Sequence, residues 1–137
     1  RCEARIDQGR RKFRFWMNAG KAEYRLENIG REAQVKAEFP MALCCYPSGS
    51  GDKAKQGIKL SDSSVILSAW KKAEYDNKFV LRLFESTGIK RDVKVEVPFL
   101  EMEIELNFAA FEIKTVVIDP ESGEYEETDL LERSYEQ

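Results

Sequence analysis

Histidine is missing altogether from the 137 residues. Imidazole titrates nearest neutrality and is the commonest metal ligand, so its absence removes whole classes of chemistry. No Ser-His-Asp or Cys-His nucleophile arrangement and no His-bearing zinc site can be built within this chain. Cysteine is scarce: only Cys2, Cys44 and Cys45 occur. Adjacent cysteines rarely bridge, an odd count leaves one over, and a four-thiolate zinc site needs one more. Reduced thiols in a cytoplasmic protein are therefore expected. No run of about 18 apolar residues exists, so no spanning helix is expected and a membrane is not an expected partner. No short apolar stretch follows a basic start, so no signal peptide is read. The first residue is Arg1 rather than Met, and the chain reads as a piece of a longer polypeptide.

Enough apolar sequence remains for one folded domain over residues 1–137. The chain is 42% hydrophobic and 34% charged, within the globular range. The net charge of −3 argues against a nucleic-acid partner, because neutralising phosphates takes surplus Lys and Arg. The charge is uneven: residues 1–14 carry a local +4 and residues 119–137 a local −7. Two solvated faces are the plain reading. The two could also attract each other or face other parts of a parent protein, and a basic N-terminal patch for nucleic acid beside Phe13, Phe15 and Trp16 is the sharper alternative.

Residues 12–19, KFRFWMNA, set Phe13, Phe15 and Met17 on one side and Arg14, Trp16 and Asn18 on the other. Period two with aromatics predicts a strand, ended by Gly20. Over residues 21–39 the spacing of Ala22, Leu26, Ile29, Ala33 and Ala37 predicts a helix with one apolar face. Gly30 is expected to split or bend it, and Pro40 to stop it. Residues 41–46 suit a buried strand, and residues 47–57 an exposed hairpin loop without phosphate-binding order.

Short alternating stretches follow. Val65, Leu67 and Ala69 form one; Phe79, Leu81 and Leu83 the next, after a turn at Tyr75-Asp76-Asn77-Lys78. Then come Val93, Val95 and Val97, stopped by Pro98, and Met102, Ile104 and Leu106. Phe111, Ile113 and Thr115 lead into Val116-Val117-Ile118. Turns are expected at Ser86-Thr87-Gly88 and Asp119-Pro120-Glu121-Ser122-Gly123. The acidic stretch 124–137 is open between an edge strand, a short helix and a tail. Five or more strands with one charged face predict a mainly β, antiparallel sandwich with one helical segment near the N-terminus.

No constellation reads as catalytic, cofactor-binding or metal-binding. Glu101, Glu103 and Glu105 have the alternation of a solvated strand face, not the pairing of a glycosidase. Nor does any loop there arrange a calcium cage. Trp16 and Trp70 fill a core or an interdomain contact on the plain reading and stack a sugar ring on the sharper one.

Trp70-Lys71-Lys72-Ala73-Glu74, then Val80-Leu81-Arg82-Leu83-Phe84-Glu85 and Gly88, resemble the C-terminal half of α-mannosidases of glycosyl hydrolase family 38. Ile6-Asp7-Gln8-Gly9 with Phe13-Arg14-Phe15 resembles the start of that region. Glu105-Leu106 with Phe111-Glu112-Ile113-Lys114-Thr115 resembles its closing strand, with Ala110 in place of the family's Pro. The resemblance runs from about residue 6 to about residue 118. It implies a β domain of a large, zinc-dependent, retaining, exo-acting α-mannosidase whose zinc and nucleophile lie in a separate catalytic domain. No catalytic or metal residue carries over. Arg82, Glu85, Gly88, Glu112 and Lys114 are implied as structural markers.

The implied partners are the catalytic and helical domains of the same polypeptide, with an α-mannoside as the parent's substrate; a homo-oligomer is left open. Clefts favour domain boundaries, so such a domain would shape the cleft wall. The basic segment before Phe13 and the loop 47–57 are the elements expected to meet the rest of the enzyme. An independent carbohydrate-binding or protein-interaction module is the alternative. The supporting-domain reading expects buried tryptophans; the sugar-binding one expects Trp16 or Trp70 exposed.

Overall fold

A computed structural model describes residues 9–38, 41–42, 56–74 and 76–134. The three cysteines, Asp7, Gln8 and Tyr75, the helix stop at Pro40 and most of the strand and loop expected over 41–57 lie outside these residues. One helix, α1 (Ala22–Ala37), precedes seven strands. These are β1 (Lys59–Leu60), β2 (Val65–Lys72), β3 (Phe79–Glu85), β4 (Arg91–Val97), β5 (Met102–Phe108), β6 (Ile113–Ile118) and β7 (Tyr125–Thr128). They form two wholly antiparallel sheets, ordered β1-β4-β5 and β2-β3-β6-β7. The expected mainly β sandwich with a helix near the N-terminus is what the chain adopts.

Alternation builds the core. Val93, Val95 and Val97 of β4 and Ile104, Leu106 and Phe108 of β5 face Val65, Leu81, Leu83, Val116 and Ile118 of the other sheet. All eleven are at most 3% exposed, and burying each such side chain contributes roughly 1.5–3 kcal/mol. The charged positions between them turn outward. Lys94 bridges Glu103 at 2.8 Å and Glu105 at 3.1 Å, while Lys59 meets Glu96 at 2.7 Å. Glu103 and Glu105 thus lie on the solvated face expected of them. Glu101 sits before β5, its backbone left-handed (φ 53°) at the end of the Pro98–Leu100 turn.

Five expectations need correction. Residues 10–19 adopt no regular structure, and Phe13, Phe15 and Met17 are 73%, 87% and 99% exposed. Among the described residues no strand pairs with them, so the alternation has nothing to lie against.

The second concerns Gly30, which does not split α1: the helix is continuous over sixteen residues. Glycine serves there as a contact point, since a Cβ would sit 2.6 Å from Ile66 Cδ1 and 2.9 Å from Ser86 Oγ.

Third, the apolar face of α1 points away from the sandwich, with Leu26 and Ile29 both mostly exposed. Polar groups hold the helix instead. Gln34 donates to the Leu67 carbonyl at 3.1 Å, and Glu27 meets Arg91 at 3.5 Å.

A β-bulge between Leu67 and Ala69 is the fourth; it reverses the phase of β2. Trp70, not Ala69, ends opposite Leu81 on the core side.

Fifth, β6 runs in the opposite phase. Phe111 is outside it, 70% exposed and left-handed at φ 59°, and Ile113 faces out. Lys114, Val116 and Ile118 are the inward set, opposite Leu83, Leu81 and Phe79. The hairpin turn before β3 closes as expected, Ala73 N–H donating to Lys78 C=O at 2.9 Å.

Of the three readings of the acidic stretch, an edge strand forms: β7 lies at the margin of its sheet. The chain then doubles back across the outer face. Leu130 C=O accepts Arg82 Nη2 at 2.8 Å, and Glu132 takes Lys71 Nζ and the Glu74 N–H. Three acids of this stretch, Glu132, Glu127 and Asp129, thus pair with Lys71, Lys114 and Arg133.

Candidate functional site

Of the five family-like markers, four meet at one corner, where the turn after β3 touches the turn before β6. Glu85 is 1% exposed, and its carboxylate is surrounded by donors. Thr87 gives its N–H at 2.7 Å and its hydroxyl to Oε1; Gly88, Ile89 and Phe111 give N–H groups to Oε2 at 2.6, 3.2 and 3.1 Å. Burial on its own would raise the Glu85 carboxyl. The Thr87 hydroxyl and the Phe111, Thr87 and Gly88 amides outweigh it and hold the group below the usual carboxylate range.

Backbone geometry follows from this anchor. Gly88 takes a left-handed φ of 79°, and a Cβ there would fall 2.6 Å from the Phe111 ring. Glu112 closes the second turn, accepting Ala109 N–H at 2.6 Å while its own carbonyl takes Glu85 N–H at 2.9 Å. Lys114 ends the core. Its ammonium lies 5.9 Å from the Phe108 ring centroid and pairs with Glu127 and, at 3.6 Å, with Glu112. Burial would lower Lys114, but the two carboxylates prevail and raise it. Arg82, the fifth marker, lies on the outer face, with Nε 3.4 Å from Thr115 Oγ1. The corner locks two crossovers between the sheets. Its carboxylate has no open lone pair to offer a proton in transit, and nothing in it is placed to react.

The tryptophans are not buried: Trp16 is 54% and Trp70 43% exposed, which departs from what a supporting domain was expected to show. Trp70 is nevertheless engaged. Its ring stacks on Phe99 at 5.3 Å, Phe99 meets Phe79 edge-on at 5.4 Å, and Gly57 abuts its six-membered ring so closely that a Cβ would clash. That packing leaves Trp70 a poor platform for a sugar. A shallow groove of about 410 Å³ lies between α1 and β1–β2, lined by Arg31, Gln34, Lys59, Asp62 and neighbours. It has no close set of acids or bases.

Among the described residues the zinc implied by the resemblance finds no seat. The chain has no His, and among the described residues no group of three Cys, Asp and Glu side chains is gathered to hold a metal. Nor is any helix of the described residues long and apolar enough to cross a membrane.

Two packed antiparallel sheets, closed by a buried carboxylate and lacking a reactive constellation among the described residues, define a β-sandwich domain. The model of the glycosyl hydrolases family 38 C-terminal beta sandwich domain matches residues 64–137, and the chain belongs to that family. The match begins just before β2, so residues 10–19, α1 and β1 lie outside it. No curated protein and no solved structure matches the chain. The sequence pointed to Glu85, Gly88, Glu112 and Lys114 only through their resemblance to the family; their meeting at one corner had no local signal. Phe111, which supplies a donor from 26 residues beyond Glu85, was missed because it read as strand core.

Proposed function

We propose that this chain is a non-catalytic C-terminal β-sandwich domain of a zinc-dependent, retaining α-mannosidase, and that it braces the active-site cleft of that enzyme. The family match over residues 64–137 carries the reading. The parent is a glycoside hydrolase acting on terminal α-mannosides, with its zinc and nucleophile in a catalytic domain that this chain contacts. An odd cysteine count favours the cytoplasm. Rigidity suits a bracing role: the Glu85 corner fixes both crossovers, and a rigid scaffold holds loops within the tolerance that a cleft requires.

The test is the size of the native gene product, probed with an antibody against this domain. A band several times larger than 15.8 kDa, with α-mannosidase activity lost on chelation and restored by zinc, is expected. A product near 15.8 kDa overturns the reading. The exposure of Trp16 favours a second reading, an independent carbohydrate-binding module. Calorimetric titration of the 137-residue chain with mannosides decides between them. Saturable binding abolished by Trp16→Ala supports the module, and no heat of binding removes it.

A further inference from the structure

The loop after β7 is organised from within and tied across the sheet by polar groups. Asp129 Oδ1 accepts the Leu131 N–H at 2.8 Å and the Arg133 N–H at 2.9 Å, and the Asp129 N–H donates to Arg133 C=O at 3.0 Å. Thr128 and Ser134 pair at its base. From there it spans the outer face: Leu130 C=O accepts Arg82 of β3 at 2.8 Å, and Glu132 accepts Lys71 of β2 and the Glu74 N–H. Leu130 and Leu131 are 56% and 67% exposed, so the two apolar side chains of the loop contribute little to its closure. Beneath it, the register sets Val80 and Val117 in one row between Lys71 and Glu126. Both lie outside the core cluster, yet both are buried. Glu132 keeps its place with a left-handed backbone, φ 64°, which strains any residue that bears a side chain. Such strain gathers at clamps and switch segments.

We infer that residues 129–134 are a hinged, autoinhibitory strap, and that the strip beneath, Lys71 and Arg82 with Val80 and Val117, docks an acidic peptide segment of a partner protein. Glu132 is the internal stand-in for that partner's carboxylate. The occupant is read from what fills the strip in the closed state. A carboxylate on Lys71 and a backbone carbonyl on Arg82 are groups that an extended acidic segment supplies. A polyanion such as nucleic acid fits less well, because Glu126 and Glu127 stand exposed on the neighbouring strand β7 and repel further negative charge. Glu132 is held below the usual carboxylate range, first by Lys71, so at neutral pH a competing anion opens the strap and protonation does not. Because the loop is shaped by Asp129, it swings as one piece about Thr128 and Ser134. The inference goes beyond the domain assignment and does not depend on which enzyme the parent is.

Amide exchange and peptide titration on the 137-residue chain test it. In 1 M sodium chloride, which screens charges beyond roughly 3 Å, the Glu74 amide given to Glu132 should exchange about 10-fold faster. The Arg133 amide, held inside the loop, should keep its rate. An unchanged Glu74 amide, or equal acceleration of Arg133, overturns the hinged strap. The probe for the strip is a synthetic peptide of residues 128–134, TDLLERS. Glu132→Ala unties the strap and leaves Lys71 and Arg82 in place. The peptide should bind this variant at least about 10-fold tighter than the unaltered chain, since a closed strap lowers apparent affinity by the fraction open. Adding Lys71→Met should abolish that binding while β3 amides keep their protection. Equal binding to Glu132→Ala and the unaltered chain, binding to neither, or displacement of the peptide by equimolar inorganic phosphate overturns the docking role.

Discussion

The sandwich over residues 64–134 and the N-terminal stretch 9–38 treat apolar residues in opposite ways. In the first, Leu83 and Val95 are fully enclosed and the charges lie outside. In the second, Phe15, Leu26 and Ile29 face solvent, while Arg25, Gln34 and the bare Gly30 backbone turn toward the protein. Both stretches carry clear periodicity. Periodicity reports that a face is meant to be covered; it does not report by what. In the sandwich the cover is the facing sheet, and for the N-terminal stretch the described residues do not supply it.

Paired truncations break the comparison most sharply. Leu83→Ala should lower unfolding stability by about 4 kcal/mol, whereas Leu26→Ala should change it by less than about 0.5 kcal/mol. Urea unfolding of each variant reads this, and equal losses would mean that α1 is packed in solution. Next in size is Glu85→Gln. It replaces an acceptor facing several N–H groups with an amide that must turn a donor on some of them, a loss of about 3 kcal/mol.

The same group sets the acid response. A carboxyl held low when folded stabilises fully above its unfolded value near 4.3, and that stability is lost as pH falls through the folded value. Asp119, Asp129 and Glu132 are held low too, by backbone N–H groups of their own turns and, for Glu132, first by Lys71. Melting temperature should therefore drop steeply below about pH 4, and less steeply in Glu85→Gln. Lys114 is raised, so its contribution is complete below about 10.4 and fades only as pH climbs through its folded value.

Gly88→Ala should cost about 1–2 kcal/mol, because a side chain in a left-handed backbone is strained and this one also meets Phe111. The smallest effect is expected at Gly30. Alanine usually gains roughly 1 kcal/mol over glycine inside a helix. Here it must displace Ile66 Cδ1 and Ser86 Oγ, and the latter donates to Ser64 C=O at 2.8 Å. Gly30→Ala should bring no gain, and thermal melts that show the full gain would mean that α1 does not rest on β2.

Most of the sandwich was legible because β3, β4 and β5 each put one apolar set against the core, so alternation fixed both strand and phase. It failed in β6, where Val116, Val117 and Ile118 are all buried and both phases look alike. There the deciding residue is a lysine, which reads as surface until Glu127 and the Phe108 ring are seen around it. The bulge in β2 has no signal in Ser68, whose hydroxyl reaches Arg82 C=O at 3.0 Å across the strands. The corner at Glu85 joins residues far apart in sequence, which no local pattern can report.

That corner also carries a consequence for the order of events in folding. The Glu85 carboxylate receives Phe111 only once β6 has aligned along β3, for the donor lies beyond the β4–β5 hairpin and the return crossover. Closing so long a loop comes late, after local hairpins have formed. Interactions absent from the transition state govern escape from the native state rather than arrival at it. Substitution of Glu85 should therefore hasten unfolding severalfold and leave the refolding rate nearly untouched, making this carboxylate a latch on the lifetime of the fold.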